Sequence, residues 1–338
     1  MNFPKVILGT SSLGNLYQAL SIEQKLAIVS AAIANCRDIP VFDTAGKYGA
    51  GLALESLGEC LNLLGIKQDE VVISNKLGWL RKPLTTEEPT FEQGVWKDIK
   101  FDAYQNISYD GILACFEQGN QLLNGLIPQL LSVHDPDEYL SAAIDINDRK
   151  KRFNDILEAY KALHFLKSSG KVKSIGVGAK NWKVIKELSA CVKLDWVMFA
   201  NSLTVYDHPK ELIDFIAELK AQGVLIINSA VFNGGFLTGS DYFNYRLLDA
   251  EKDFLLYQWR SKFYQLCDKH QIKPAEACVY FALQVPGVSS IALNSSSPKR
   301  TAENIRLGEV NIPLSFWDAM KEEGLIAESE FIFNKFKN

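Results

Sequence analysis

VILGTSSLG, residues 6–14, runs from an apolar strand-like segment into hydroxyls bracketed by Gly9 and Gly14. A doubly wound nucleotide-binding sheet normally places Gly-x-Gly-x-x-Gly directly after its first strand, where the glycines admit a pyrophosphate against the backbone. Here the strand continues into Gly-Thr-Ser-Ser-Leu-Gly, which lacks that spacing. A closed parallel barrel makes no such demand, and the rest of the chain favours it.

Similar short runs rich in β-branched residues recur at VFDTA (41–45), VVISNK (71–76), LLSVH (130–134), SIGVG (174–178), WVMFAN (196–201), VLIINS (224–229) and SSIAL (289–293). Between them lie stretches of helical spacing, such as Ile22, Leu26, Val29, Ile33 and Ile156, Leu157, Tyr160, Leu163, Leu166. Eight strands separated by helices describe a parallel sheet, and eight strands close a (β/α)₈ barrel. The expectation is an α/β protein, a single TIM-barrel domain over residues 1–338, without an internal repeat or a Pro/Gly/Ser linker. Two connections are long, about 77–108 and 230–253, and long loops at a barrel's active rim are often functional.

Composition narrows the function. With 47% hydrophobic and 22% charged residues and a formal net charge of −4, the chain offers no basic stripe for nucleic acid. It also has no run approaching the ~18 apolar residues of a membrane span, so a soluble cytoplasmic protein is expected. The six cysteines are scattered, without Cys-x-x-Cys or a His-rich neighbourhood, and read as small buried hydrophobes; no metal site is expected.

A barrel places its chemistry at the C-terminal strand ends. Asp43 lies at the end of the second strand, Lys76 at the end of the third and His134 at the end of the fourth, while Tyr48 follows on a loop containing Gly46, Gly49 and Gly51. Alone, the aspartate reads equally as a helix cap, the tyrosine as packing and the histidine as structural; together they define a cluster on one rim.

FDTAGKYGAG (42–51), LESLG (54–58), ISNK (73–76), SVHDPD (132–137), SIGVG (174–178) and SSSPKRTAEN (295–304) resemble the aldo-keto reductase superfamily over nearly the whole chain. SYDG (108–111) and HDPDEYL (134–140) look like its branch of aldose 1-dehydrogenases, which includes L-fucose, D-threo-aldose and pyridoxal dehydrogenases. The resemblance implies Asp43, Tyr48, Lys76 and His134 as the catalytic set. A phenol of pKa about 10 needs help near neutrality, and a neighbouring ammonium favours its ionised form. Lys76 would supply that charge, Asp43 would hold Lys76, and His134 would orient the substrate oxygen.

The resemblance also implies a nicotinamide cofactor bound around the last two strand ends. Ser295 would contact a phosphate, Arg300 would lie along the adenosine, and Glu303 and Asn304 would face the adenine. Asn201 matches an amide-bearing strand end. Ser229 stands where an aromatic residue often stacks on the ring, and Phe232 and Gly235 belong to the glycine-rich loop that follows. Lys180 or Asn181 falls near the carboxamide position. Asn294 replaces an expected lysine, which favours NAD, while Arg300 leaves NADP possible.

A tryptophan often follows the catalytic histidine in carbonyl-reducing members, but this chain has Asp135. A carboxylate accepts hydrogen bonds from sugar hydroxyls, with Trp79 as a flat face; a turn cap before Pro136 is the alternative role for Asp135. The expected activity is oxidation of an L-fucose-type or D-threo-type aldose at C1 to the lactone. The alternatives are pyridoxal 4-dehydrogenase, a general aldehyde or ketone reductase, and a regulatory barrel of the potassium-channel β-subunit type. The aromatic-rich segment at 323–338 is expected to cover the pocket or to pack on the barrel.

Overall fold

The computed structural model describes residues 3–244 and 246–327, so most of the segment at 323–338 lies outside the described residues. Along the chain, β1 (Val6–Gly9), β2 (Val41–Ala45) and β3 (Val72–Leu77) precede a hairpin of β4 (Trp79–Pro83) and β5 (Phe101–Gln105). Then come β6 (Leu130–His134), β7 (Ser174–Ala179), β8 (Trp196–Ala200), β9 (Leu225–Ser229), a ribbon of β10 (Tyr242–Phe243) and β11 (Arg246–Leu247), and β12 (Val288–Asn294). The helices are α1 (Ile22–Asn35), α2 (Leu52–Leu63), α3 (Tyr109–Leu122), α4 (Pro136–Ser141), α5 (Ile146–Ser168) and α6 (Trp182–Ser189). They continue with α7 (Lys210–Ala221), α8 (Phe254–Lys269), α9 (Pro274–Gln284), α10 (Pro298–Leu307) and α11 (Leu314–Glu322).

Eight strands close a barrel in the order β1-β12-β9-β8-β7-β6-β3-β2, every neighbouring pair parallel. The architecture is the (β/α)₈ barrel read from the sequence. Local chemistry starts its helices where they are needed. Ser21 accepts from the Gln24 N–H while Gln24 reaches back to the Ser21 N–H, and Asp145 accepts from the N–H groups of Asn147 and Asp148. α1 then buries Ile28, Val29 and Ala32, a spacing that puts all three on one face.

The barrel floor is apolar: Ile7, Val41, Leu130, Trp196, Met198, Ile227 and Ala292 pack together inside. Trp196 lies across this interior, and a Cβ on Gly176 would sit 2.2 Å from its ring, so only glycine fits beneath it. The twofold periodicity of a strand carries this inward face up to the rim. The face that bears Val41 bears Asp43, that of Val72 bears Lys76, and that of Leu130 bears His134.

The two long connections are folded rather than plain loops. The first is the antiparallel hairpin β4–β5, paired from Trp79↔Gln105 to Pro83↔Phe101, and its strands carry Arg, Lys, Pro, Asp and Gln, which weakens any strand signal in the sequence. Its tip brings Phe91, Trp96 and Ile99, together with Ala103 of β5, onto Ala50 in a small core that also packs against Tyr48. The second contains the ribbon Tyr242↔Leu247 and Phe243↔Arg246, with Arg246 paired to Asp253.

Candidate active site

The loop carrying Tyr48 is placed by backbone contact. Gly49 has φ +60, and a Cβ there would lie 2.3 Å from the Gly14 carbonyl oxygen; a Cβ on Gly14 would lie 2.9 Å from the Tyr48 carbonyl. The 3₁₀ turn Ser11–Gly14 and the tyrosine loop therefore meet main chain to main chain. Gly9 and Gly14, whose spacing argued against a dinucleotide fingerprint, thus serve the barrel's close packing.

Asp43, Lys76 and His134 are all buried. Lys76 Nζ donates to Asp43 Oδ2 at 2.5 Å and to the Thr44 carbonyl at 3.3 Å, so the buried ammonium is paired within the barrel. The same ammonium stands 4.9 Å from the centroid of the Tyr48 ring. The His134 ring meets the Tyr48 ring edge-on at 5.5 Å and 85°, and Trp96 lies 5.9 Å from it at 33°. The structure brings Asp43, Tyr48, Lys76 and His134 together on one rim.

Burial drives the His134 imidazole well below its ordinary pKa, helped by the cations Lys47, Lys76 and Lys180. The ring is neutral at physiological pH. Beside it, Asp135 has φ 44, a left-handed conformation unusual before proline, and its carboxylate does not cap α4. Instead Asp135 Oδ2 lies 3.6 Å from His134 Nε2 and 3.9 Å from Lys180 Nζ. Burial pushes this carboxyl up to about 6, against the pull of Lys180.

Sequence reasoning passed over a ring of charges around these groups. Lys47 Nζ is 2.7 Å from Glu92 Oε1 and 3.2 Å from Glu138 Oε2, and Lys180 pairs with the other Glu138 oxygen. Two signals were available: a lysine directly before Tyr48, and a glutamate one helical turn beyond His134. Trp79 packs on Phe91 with ring centroids 5.7 Å apart and lies 5.3 Å from Lys47 Nζ, so the hairpin occupies much of its surface.

At the opposite side of the rim, Asn201 is buried with φ 60, and its Oδ1 has no hydrogen-bond partner among the described residues; the same holds for Ser202 Oγ. Ser229 Oγ donates to the Phe199 carbonyl, and Phe232 packs against the core. Gly235, φ 95, opens the short 3₁₀ turn Phe236–Thr238. Ser295 Oγ accepts from the Ser297 N–H at 3.1 Å, and α10 begins with Pro298. Arg300 and Glu303 are exposed and Asn304 half-buried. Asn294 Oδ1 accepts from the Ser12 hydroxyl at 3.0 Å, tying β12 to the first turn. Asn181 caps α6 by accepting from the Lys183 N–H, so its amide oxygen is committed. Among the described residues there is no cluster of three or more His, Cys, Asp or Glu arranged for a metal ion, and no helix long and apolar enough to cross a membrane.

This chain belongs to the aldo/keto reductase family, which it matches over residues 5–323. Membership makes it an NAD(P)-dependent oxidoreductase acting on CH–OH groups. It is 28% identical over 335 residues to a pyridoxal 4-dehydrogenase of Microbacterium luteolum, covering 95% of this chain and 94% of that protein. It is 27% identical over 336 residues to a D-threo-aldose 1-dehydrogenase of a Pseudomonas species, covering 96% and 94%. Among solved structures, an aldo-keto reductase of Bacillus halodurans in its holo form shares the fold with a TM-score of 0.68 and 18% identity, over 96% of this chain and 93% of that one.

Proposed function

We propose that the protein oxidises an aldose at C1 to the lactone with NAD as the preferred acceptor. The observation that carries this reading is Asp135: a half-buried carboxylate that caps nothing, set beside a neutral His134, gives the pocket an acceptor for hydroxyls next to a donor.

The residues present fit a nicotinamide nucleotide. The unsatisfied amide oxygen of Asn201 is an acceptor suited to a carboxamide N–H. Gly235, Ser295 and the start of α10 offer backbone and hydroxyl donors suited to phosphate, with Arg300, Glu303 and Asn304 beside them for the adenosine. Ser229 and Phe232 would border the nucleotide. Asn294, an uncharged residue held by Ser12, places no cation at that point of the site, which supports NAD; the exposed Arg300 leaves a route for NADP. The bound cofactor supplies the acceptor for the hydride leaving C1.

The chain's own groups handle the proton and the geometry. Tyr48 takes the proton of the anomeric hydroxyl as C1–H gives up its electron pair and C1=O forms. Lys76 stabilises the tyrosinate from the ring face, and Asp43 keeps Lys76 in place. His134, neutral, donates one hydrogen bond to the substrate oxygen and carries no proton away. Asp135 accepts from a neighbouring hydroxyl, while Trp79 and the hairpin border the pocket. In the reverse direction Tyr48 is the acid.

Tyr48→Phe should lower turnover by about 10²–10⁴-fold while leaving nucleotide affinity nearly intact. Initial rates of NADH and NADPH formation with L-fucose, D-arabinose, L-galactose, D-glucose and pyridoxal test the substrate. Oxidation of pyridoxal alone would move the reading to that substrate, an outcome consistent with the pyridoxal-oxidising relative. Silence with all five would favour the regulatory barrel.

A further inference from the structure

Lys47 is a buried cation, 5% exposed, that the proposed reaction does not use. It joins three elements that are remote in sequence. Its Nζ reaches Glu92 at the hairpin tip and Glu138 in α4, while its own backbone is the residue before Tyr48. Burial opposes its charge, yet these carboxylates more than offset it and the pKa is raised.

The contacts continue in both directions. Glu92 Oε2 accepts from Trp96 Nε1 at 2.7 Å, and Trp96 packs on Tyr48. Glu138 also holds Lys180, which lies beside Asp135, which faces His134. Charges alternate from Glu92 through Lys47, Glu138 and Lys180 to Asp135, with one end resting on the tyrosine and the other on the histidine.

We propose that Lys47 is a positioning residue that locks the hairpin, the tyrosine loop and α4 together before substrate arrives. This rests on the roles given above to Tyr48 and His134. The groups facing His134 are the cations Lys47, Lys76 and Lys180, the carboxylate of Asp135 and the Tyr48 ring; Asp43 acts there through Lys76, and Glu138 through Lys47 and Lys180. Removing the Lys47 charge makes protonation easier for His134 and for Asp135 alike, because Lys47 disfavours the proton on both. A protonated His134 would be drawn to Asp135 and away from substrate.

The test compares Lys47→Met, Lys47→Arg and Glu92→Gln with the wild type in kcat, KM, nucleotide Kd and the pH profile of kcat/KM, with thermal melts to establish folding. Lys47→Met should lower kcat about tenfold or more, as misplaced acid–base groups do, with nucleotide Kd unchanged. Its acid limb should move up by about one pH unit. Lys47→Arg should restore both. A Lys47→Met enzyme with the wild-type acid limb, or an arginine that restores nothing, overturns the proposal. Glu92→Gln keeps the lysine charge but weakens the latch: kcat should fall with the acid limb in place, and an unchanged kcat overturns the locking role even where Lys47→Met does not fold. Tyr48→Phe separates the two levels. If it retains turnover, the reading of the site falls and this inference with it; if it is inactive and Lys47→Met behaves as wild type, only this inference falls.

Discussion

The side of the rim proposed to react and the side proposed to hold the nucleotide are built by different means. Around Tyr48, ion pairs and backbone contacts fix the groups: the buried pair Asp43–Lys76, the buried Lys47 held by the more exposed Glu92 and Glu138, and Gly14 against Gly49. Around α10, the hydroxyls bond to their own short turn, and Arg300 and Glu303 extend into solvent. A group that transfers a proton must be held within a fraction of an ångström, whereas side chains lining an adenosine can settle on arrival. The difference predicts where substitutions harm the fold and where they alter only affinity.

The largest effect is expected at the buried pair. Lys76→Met leaves Asp43 charged and alone inside the barrel and should cost about 3–5 kcal/mol in denaturant unfolding. Asp43→Leu combined with Lys76→Met should recover much of that loss while activity stays absent. A Lys76→Met protein of full stability would show that the reacting side is not held by its charges.

Gly49→Ala should cost about 1–3 kcal/mol and reduce turnover, because the new methyl meets the Gly14 carbonyl. The matching substitution Ser296→Ala, on the exposed turn before α10, should leave the melting temperature nearly unchanged.

Acid sensitivity sharpens the comparison further. His134 is neutral when folded, with its pKa far below the ordinary value, so below about pH 6.5 the unfolded chain takes up a proton that the folded one refuses. Stability from this group is complete above that pH and falls by about 1 kcal/mol per pH unit beneath it. Asp135 runs the other way. Its folded pKa of about 6 lies above the unfolded value, so its contribution is complete below about pH 4 and is lost as pH rises through 6. The two slopes oppose each other between about pH 4 and 6. Asp135→Asn should therefore steepen the acid loss, and His134→Gln should flatten it, in urea titrations at stepped pH.

The smallest structural effect belongs to the nucleotide side. Arg300→Met should change stability by less than about 0.5 kcal/mol, yet weaken NADPH more than NADH in fluorescence titrations. Equal weakening of both would place Arg300 away from the 2′-phosphate.

Much of this was legible in the sequence for a physical reason. Barrel strands are buried on both faces and read as short apolar runs, so 6–9, 41–45 and 130–134 fall where the strands do. His134 does end its strand and Lys76 lies one residue short of the end of β3, but Asp43, read as closing the second strand, sits in the middle of β2 because the pairing runs on through Thr44 and Ala45. The hairpin was not legible as strands because Arg81, Lys82 and Pro83 suit a partly solvated ribbon rather than a core, and the buried Asp102 is a polar residue whose partners, Thr90 and Lys82, lie elsewhere in the hairpin. Lys47 with Glu92 escaped because an ion pair between residues so far apart leaves no periodic trace. Asp135 before Pro136 spells a cap, and only its left-handed backbone reveals that the carboxylate faces elsewhere.

The contact of Gly14 with Gly49 has a consequence for anyone redesigning this enzyme. Where Gly14 meets Gly49 the first turn and the tyrosine loop touch main chain to main chain, so at that point there is no side chain to trim or enlarge. Beyond Asp135, altered substrate range is open to engineering through the hairpin, whose Phe101 and Tyr104 already tolerate solvent and whose tip meets the tyrosine.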